Sequence, residues 1–214
     1  MNRIAESFSW PFRGSWRARW AVGLLFTVLL PVGFVPLLGY AVAAVRSARD
    51  DGPPAWRRPV RLLLDGASVA VAIGVVTLPF AVIALAVVPL LANPDLWGSS
   101  GILLNVEAWT AAILAIALPW GIVLLLLMPH ATARYAVTGR ERDLFDFASS
   151  LRSVRSDFAA WNVAVAAIVT AWAIGLACSA LLCVGVVPGV FYAILVSAHA
   201  TSALDTKGSD QRAR

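Results

Sequence analysis

The distribution of charge along this chain leaves few folds open. No Lys, Arg, Asp or Glu lies between Trp20 and Val45, Gly66 and Pro94, Ala108 and Ala133, or Phe158 and Leu204. A hydrocarbon layer about 30 Å thick takes about 20 helical residues to cross, and each blank is at least that long. Backbone polar groups find no water in lipid, so segments of this kind close their hydrogen bonds internally as helices. With 60% hydrophobic against 14% charged residues, the expected fold class is an all-α integral membrane protein, a single membrane domain over 1–214. The same balance excludes a disordered chain, a disulfide scaffold and a free nucleic-acid binder, although the pI is near 10.

The blanks differ in shape. Gly66 to Pro94 and Ala108 to Met128 each suit one crossing, which places two central transmembrane helices at 66–92 and 108–129. Trp20 to Val45 is interrupted by Pro31, Gly33 and Pro36 and is expected to be a broken helical hairpin over 21–45 that turns at PVGFVP. Phe158 to Leu204 is long enough for two passes, giving a second hairpin at 161–204 with its turn at Val187, Pro188 and Gly189. Basic residues collect on the cytoplasmic side. Their clusters at 1–20, 46–65, 130–160 and 205–214 therefore lie inside, and the uncharged-to-acidic loop 93–107 lies outside. Both termini are then cytoplasmic. The first block is too long for the apolar core of a cleavable signal, and five arginines follow it closely.

The basic stretches carry helical periodicity. Leu144, Phe147, Leu151, Val154 and Phe158 are spaced 3, 4, 3 and 4 residues apart, the pattern of an interfacial amphipathic helix. Trp56, Val60, Leu63 and Ala67 repeat it, and Ile4 with Phe8 begins it before Pro11. Arg57, Arg58, Arg61, Arg152 and Arg155 on the polar faces are candidates for meeting lipid head groups, beside the ordinary topogenic role of such charge, and Trp16, Trp20 and Trp161 read as interfacial anchors. The N- and C-terminal parts each read as amphipathic helix, tryptophan, hairpin, a weak parallel repeat.

Chemistry is sparse. GxSxG, HExxH, GxxxxGK and CxxC are absent, so no catalytic residue and no metal site is assigned, and no enzyme is expected. Cys178 and Cys183 are five residues apart, about 140 degrees around a helix, and cannot share a metal. Asp65 and Glu107 stand at block ends, where water or head groups can solvate them. His130 and His199 are the candidates for a cofactor, a haem iron or a chlorophyll-type pigment, against the plainer alternative of a histidine bonded to a neighbour. Small residues crowd SVAVAIG, AAILAIA and AVAAIVTAWAIGLA and would permit close helix packing within the chain or against a partner.

FSWPFR, LLPVGFVPLLGYAVAAVRSARDDGPPAW and the closing FYAILVSAHATSAL together resemble the prokaryotic membrane family called domain of unknown function four thousand and thirteen. The Gly39, Tyr40 pair, followed by a basic stretch and a proline-containing acidic loop, is the most specific part, and the segment holding His199 also looks like the family's. The resemblance implies a multi-spanning inner-membrane protein and carries over no activity, cofactor or catalytic residue. Three functional expectations follow. The first is a non-enzymatic accessory or scaffold subunit held by the bilayer and by other membrane protein subunits. The second is a small transporter or lipid-handling protein, and the third a haem- or pigment-carrying subunit.

Overall fold

The structure is a computed structural model that describes residues 5–91, 93, 102–181 and 185–204. The expected outer loop from 94 to 101, the tail from 205, Ile4 and Cys183 lie outside the described residues. Every regular element among the described residues is helical, with no strand. A 3-10 turn at Trp10–Phe12 precedes α1 (Trp16–Val28) and α2 (Leu30–Arg46). Two long helices follow, α3 (Pro59–Leu91) and α4 (Ile102–Thr138). The short α5 (Arg142–Phe145) and α6 (Phe147–Ser156) lead into α7 (Phe158–Leu181) and α8 (Val186–Ser202). Three of the helices are long and apolar enough to cross a membrane, at Pro59–Leu90, Val106–Thr138 and Phe158–Cys178.

The first blank does form a hairpin, and its turn comes earlier than expected. Leu29 alone separates the two helices: its N–H closes α1 on Leu25 O (3.1 Å), and its carbonyl accepts the Gly33 N–H (2.6 Å) to open α2. Pro31 stands in the first turn of α2, where a missing N–H costs nothing and the fixed φ suits a helix start. Gly33 and Pro36 lie inside α2, so PVGFVP is helix and not turn. Entry and exit meet at the open end of the hairpin. The Trp56 indole N–H donates to Arg19 O (3.0 Å) and that of Trp10 to Asp50 O (3.2 Å). In the same way Pro188 and Gly189 fall in the first turns of α8, with Gly185 as its N-cap, so both are helix and not turn.

The stripe expected to run as one amphipathic helix is cut twice. Asp146 accepts the Ser149 N–H (3.0 Å) and caps α6, and Asp157 accepts the Ala160 N–H (3.3 Å) at the start of α7. Aspartate competes well for such N-terminal donors, which stops one helix and begins the next. Leu144 and Val154 are buried, while Leu151 and Phe158 remain exposed. Thr138 ends α4 on Gly139, whose φ of +67° and N–H to Tyr135 O (2.8 Å) make a left-handed cap.

Packing divides the chain into two compact units: Met1–Ala70 with Leu127–Arg214, and Val71–Leu126. In the first, helices cross on glycines. A Cβ on Gly39 of α2 would overlap the Leu62 carbonyl of α3, and one on Gly66 would overlap Val35 O. Gly175 and Gly189 bring α7 against α8 so closely that added Cβ atoms would sit 2.7 and 2.6 Å from the facing carbonyl oxygens. Small residues thus set the backbone separation within the chain. Around these crossings runs an aromatic core. Tyr40 is fully buried and stacks on Trp56 at 4.0 Å, its hydroxyl donating to Pro54 O (2.8 Å), and Phe191 packs against Tyr40 and edge-on to Trp20. Trp20, expected as a lipid anchor, is a core residue whose N–H is satisfied by Pro11 O (3.0 Å). On α3, Val60, Leu63 and Ala67 are exposed, while Leu62, Asp65, Gly66 and Val69 turn inward, and Trp56 stands off the helix.

The second unit joins the distal part of α3 to the proximal part of α4. Trp120 donates to Thr77 Oγ1 (3.0 Å), beside a cavity of about 260 Å³ lined almost wholly by apolar side chains such as Phe80, Ala84, Ile113 and Ile116.

Candidate functional site

The first unit holds a cleft of about 740 Å³ where several helix ends converge. Arg46 and Val45, from the last turn of α2, form one wall with Arg49, Asp50 and Asp51 of the loop beyond it. Ala133 and Val137 of α4 form another, His199 and Ser202 of α8 a third, and Glu6, Trp10 and Arg13 close it from the N-terminal segment. Each wall is fixed by a polar contact. Ser7 Oγ and His199 Nδ1 are hydrogen-bonded at 2.8 Å across nearly the whole chain, and Trp10 lies over the imidazole with ring centroids 4.9 Å apart. The Tyr192 hydroxyl adds a bond to Phe8 O (3.2 Å).

Behind Arg46 stands a buried ion pair. Both Arg46 terminal nitrogens reach the Asp65 carboxylate, and Arg46 Nε donates to Ala136 O (2.9 Å). The Tyr135 hydroxyl donates to Asp65 Oδ1 (2.8 Å), the guanidinium lies 5.7 Å from the Tyr135 ring, and Arg61 Nε stands 3.9 Å from Asp65. Asp65 is only 7% exposed, so it is not the solvated block-end acid that its position suggested. A charge so placed persists because its lone pairs are filled by a bidentate guanidinium and a phenol. This clasp ties α2, α3 and α4 together.

The remaining charges of the cleft behave differently. Among the described residues no ion pair joins Glu6, Arg13, Arg49, Asp50 or Asp51 to one another, and all five are exposed. Arg13 makes one weak bond, to Ser9 Oγ at 3.4 Å. The cleft therefore presents both signs of charge on one rim, with Val45, Ala133 and Val137 as an apolar side.

Of the residues singled out from sequence, His199 lines this cleft. Arg57, Arg58 and Arg61 are exposed around the start of α3, and Arg152 and Arg155 are exposed on α6; none of the five lines it. Arg58 has φ +59° before Pro59, and its carbonyl accepts the Leu62 N–H as the first bond of α3. His130 is buried on α4, where its Nε2 has no partner among the described residues. Among those residues, no three of His, Cys, Asp and Glu are grouped to hold a metal ion. Cys178 and Glu107 are exposed. Pro31, Gly33, Pro36, Pro188 and Gly189 belong to helices and to their crossings. Arg134 spends its donors on the connection after α4, bonding Asp143 O and Asp146 O (both 3.0 Å) and the Asp146 carboxylate (3.3 Å). The Ser149 N–H, with Arg134 beside it, holds the Asp146 carboxyl below the usual carboxylate range.

Arg46 and Asp65 escaped sequence reading as a pair because they stand 19 residues apart, and Arg13 and Arg49 because nothing local sets them apart from the other arginines of their clusters. One signal was present: Arg46 and Asp65 each stand at the edge of a charge-free blank, one of each sign.

Fold and cleft together define a class, an all-helical membrane protein whose apolar helices end at a polar, mixed-charge cleft. The chain belongs to the family described as protein of unknown function (DUF4013), whose model matches residues 22–196. That span contains the Gly39 crossing and the Arg46, Asp65, Tyr135 clasp, and leaves Ser7, Trp10, Arg13 and His199 outside it. No curated protein and no solved structure matches the chain.

Proposed function

We propose that the chain is a non-enzymatic protein of the prokaryotic cytoplasmic membrane that handles lipid, holding the polar end of a membrane amphiphile in the cleft. One observation carries this reading: a cleft of about 740 Å³ with charged and apolar walls, built at the ends of apolar helices. A soluble ligand needs no apolar side continuous with helices, whereas an amphiphile uses both. In the accompanying threading, α3 and α4 are two full crossings and the flanking hairpins open to the cytoplasm. Helix α1, at 13 residues, is about 20 Å long and falls short of a 30 Å core. Every arginine of the described residues belongs to the first unit and none to the second, as the positive-inside tendency requires of this threading.

The test is native mass spectrometry on protein extracted in mild detergent. Bound lipid should survive extraction and be lost in Ala48→Trp and Val137→Trp, which fill the cleft from partly or fully exposed positions. Lipid-free wild type, or equal retention by the variants, would overturn the reading. Cysteines introduced at the exposed positions Ser156 and Glu107 should label from the inside and the outside respectively; the reverse would overturn the threading.

A second reading, an accessory subunit, is favoured by the long helices: only 11% and 6% of the residues in the most apolar stretches of α3 and α4 are buried. It requires a partner chain at fixed stoichiometry through size exclusion, released by Ala81→Trp.

A further inference from the structure

Resting on the reading that the cleft holds an amphiphile, we infer that it selects a head group in which a phosphate and a primary ammonium are joined by a short linker, as in aminoethyl phosphodiesters. The rim offers two guanidinium groups, Arg13 and Arg49, that no carboxylate among the described residues pairs within ion-pair distance. It also offers three carboxylates, Glu6, Asp50 and Asp51, in the same condition. Arg46 lines the cleft as well, but its charge is matched by Asp65 and three of its five donors are engaged by Asp65 and Ala136. A ligand that brings one anion and one cation satisfies both sets at once.

Other head groups leave part of the rim in conflict. An anionic head group gains the arginines but brings nothing to the three carboxylates, and its charge is repelled by them. A quaternary ammonium has no N–H to give a carboxylate, and its usual recognition is a cage of aromatic faces. Here the cleft has one tryptophan, Trp10, whose N–H is bonded to Asp50 O and whose ring lies against His199. A primary ammonium has three donors, the number of carboxylates on this rim. Val45, Ala133 and Val137 then receive the start of the glycerol and acyl chains, so a lipid satisfies the cleft more fully than the same head group free in solution.

The experiment is a competition on the full chain. Protein in detergent is mixed with equimolar phosphatidylethanolamine, phosphatidylglycerol and phosphatidylcholine of identical acyl chains, and bound species are counted by native mass spectrometry. The ethanolamine lipid should be retained at least about fivefold over each competitor. Asp50→Asn with Asp51→Asn should remove that preference and raise the glycerol lipid, while Arg13→Gln with Arg49→Gln should lower all three. These residues are exposed, and unchanged melting temperatures would show that the variants fold. Lipid bound with no ethanolamine preference, or a preference indifferent to Asp50 and Asp51, overturns the inference and leaves the proposed function standing. No lipid bound at all overturns the proposed function. If soluble glycerophosphoethanolamine displaces the lipid at equal concentration, the chemistry stands and its source is the free phosphodiester.

Discussion

The two units of this chain share the two long helices α3 and α4 and follow opposite rules. Where α3 begins and α4 ends, backbones meet through Gly39 and Gly66, and arginine, aspartate and tyrosine interlock behind the crossing. Where the same helices continue through Val71–Leu126, glycines have open space around them and one tryptophan to threonine bond is the main polar link. On the proposed threading, lipid explains the contrast. Hydrocarbon solvates apolar side chains as well as another helix does, so nothing there forces tight packing, whereas buried polar groups must find partners or pay heavily.

The sharpest break in this comparison is steric. Gly39→Leu drives a side chain into the Leu62 carbonyl and should abolish the monodisperse folded protein in gel filtration, while Gly74→Leu, which meets nothing within 4 Å, should elute as wild type. Equal behaviour of the two would remove the distinction between the units. Next comes the clasp: Asp65→Asn leaves Arg46 against a partner that no longer carries charge, and should cost on the order of 3 kcal/mol, read as a lower melting temperature in detergent. In the second unit, Trp120→Phe gives up only the bond to Thr77, worth about 1 kcal/mol, and a loss as large as that from Asp65→Asn would show that this unit too is held by polar contacts.

The smallest effect concerns pH. Because the folded-state carboxyl of Asp146 is held low by Ser149 and Arg134, its contribution is complete above the unfolded value of about 3.9 and is lost as pH falls through the folded one. Circular dichroism of the wild type should therefore show α6 helicity steady from neutral pH down to about 4 and falling only in stronger acid. Asp146→Asn should flatten that acid response, and a loss beginning near pH 6 would point to another group.

Much of this architecture was legible because charge is forbidden in long stretches, which locates helices whatever their tertiary packing. The turns were misplaced for a specific reason. Pro31 and Pro188 read as breakers, but proline is tolerated in a helix's first turn, so each marks the beginning of a helix. The cut at Asp146 was readable as a cap and was masked by the regular apolar spacing across it. Beyond the charges at the blank edges, the cleft left no local trace. Ser7 and His199 are 192 residues apart and Arg46 and Asp65 are 19 apart, and neither pair repeats with any period that a window could detect. Glycine at 39 and tyrosine at 40, the most specific part of the family resemblance, mark the helix crossing and the aromatic core beside it.

The bond between Ser7 and His199 also imposes a schedule on biosynthesis. At about 5–20 residues per second, the ribosome delivers His199 roughly 10–40 s after Ser7. Phe191, which fills the space beside Gly23, Trp20 and Tyr40, arrives only moments earlier. Through that interval the first hairpin waits without the helix that completes its core, while α3 and α4 are already made. The hairpin made before α3 and α4 is completed only after both.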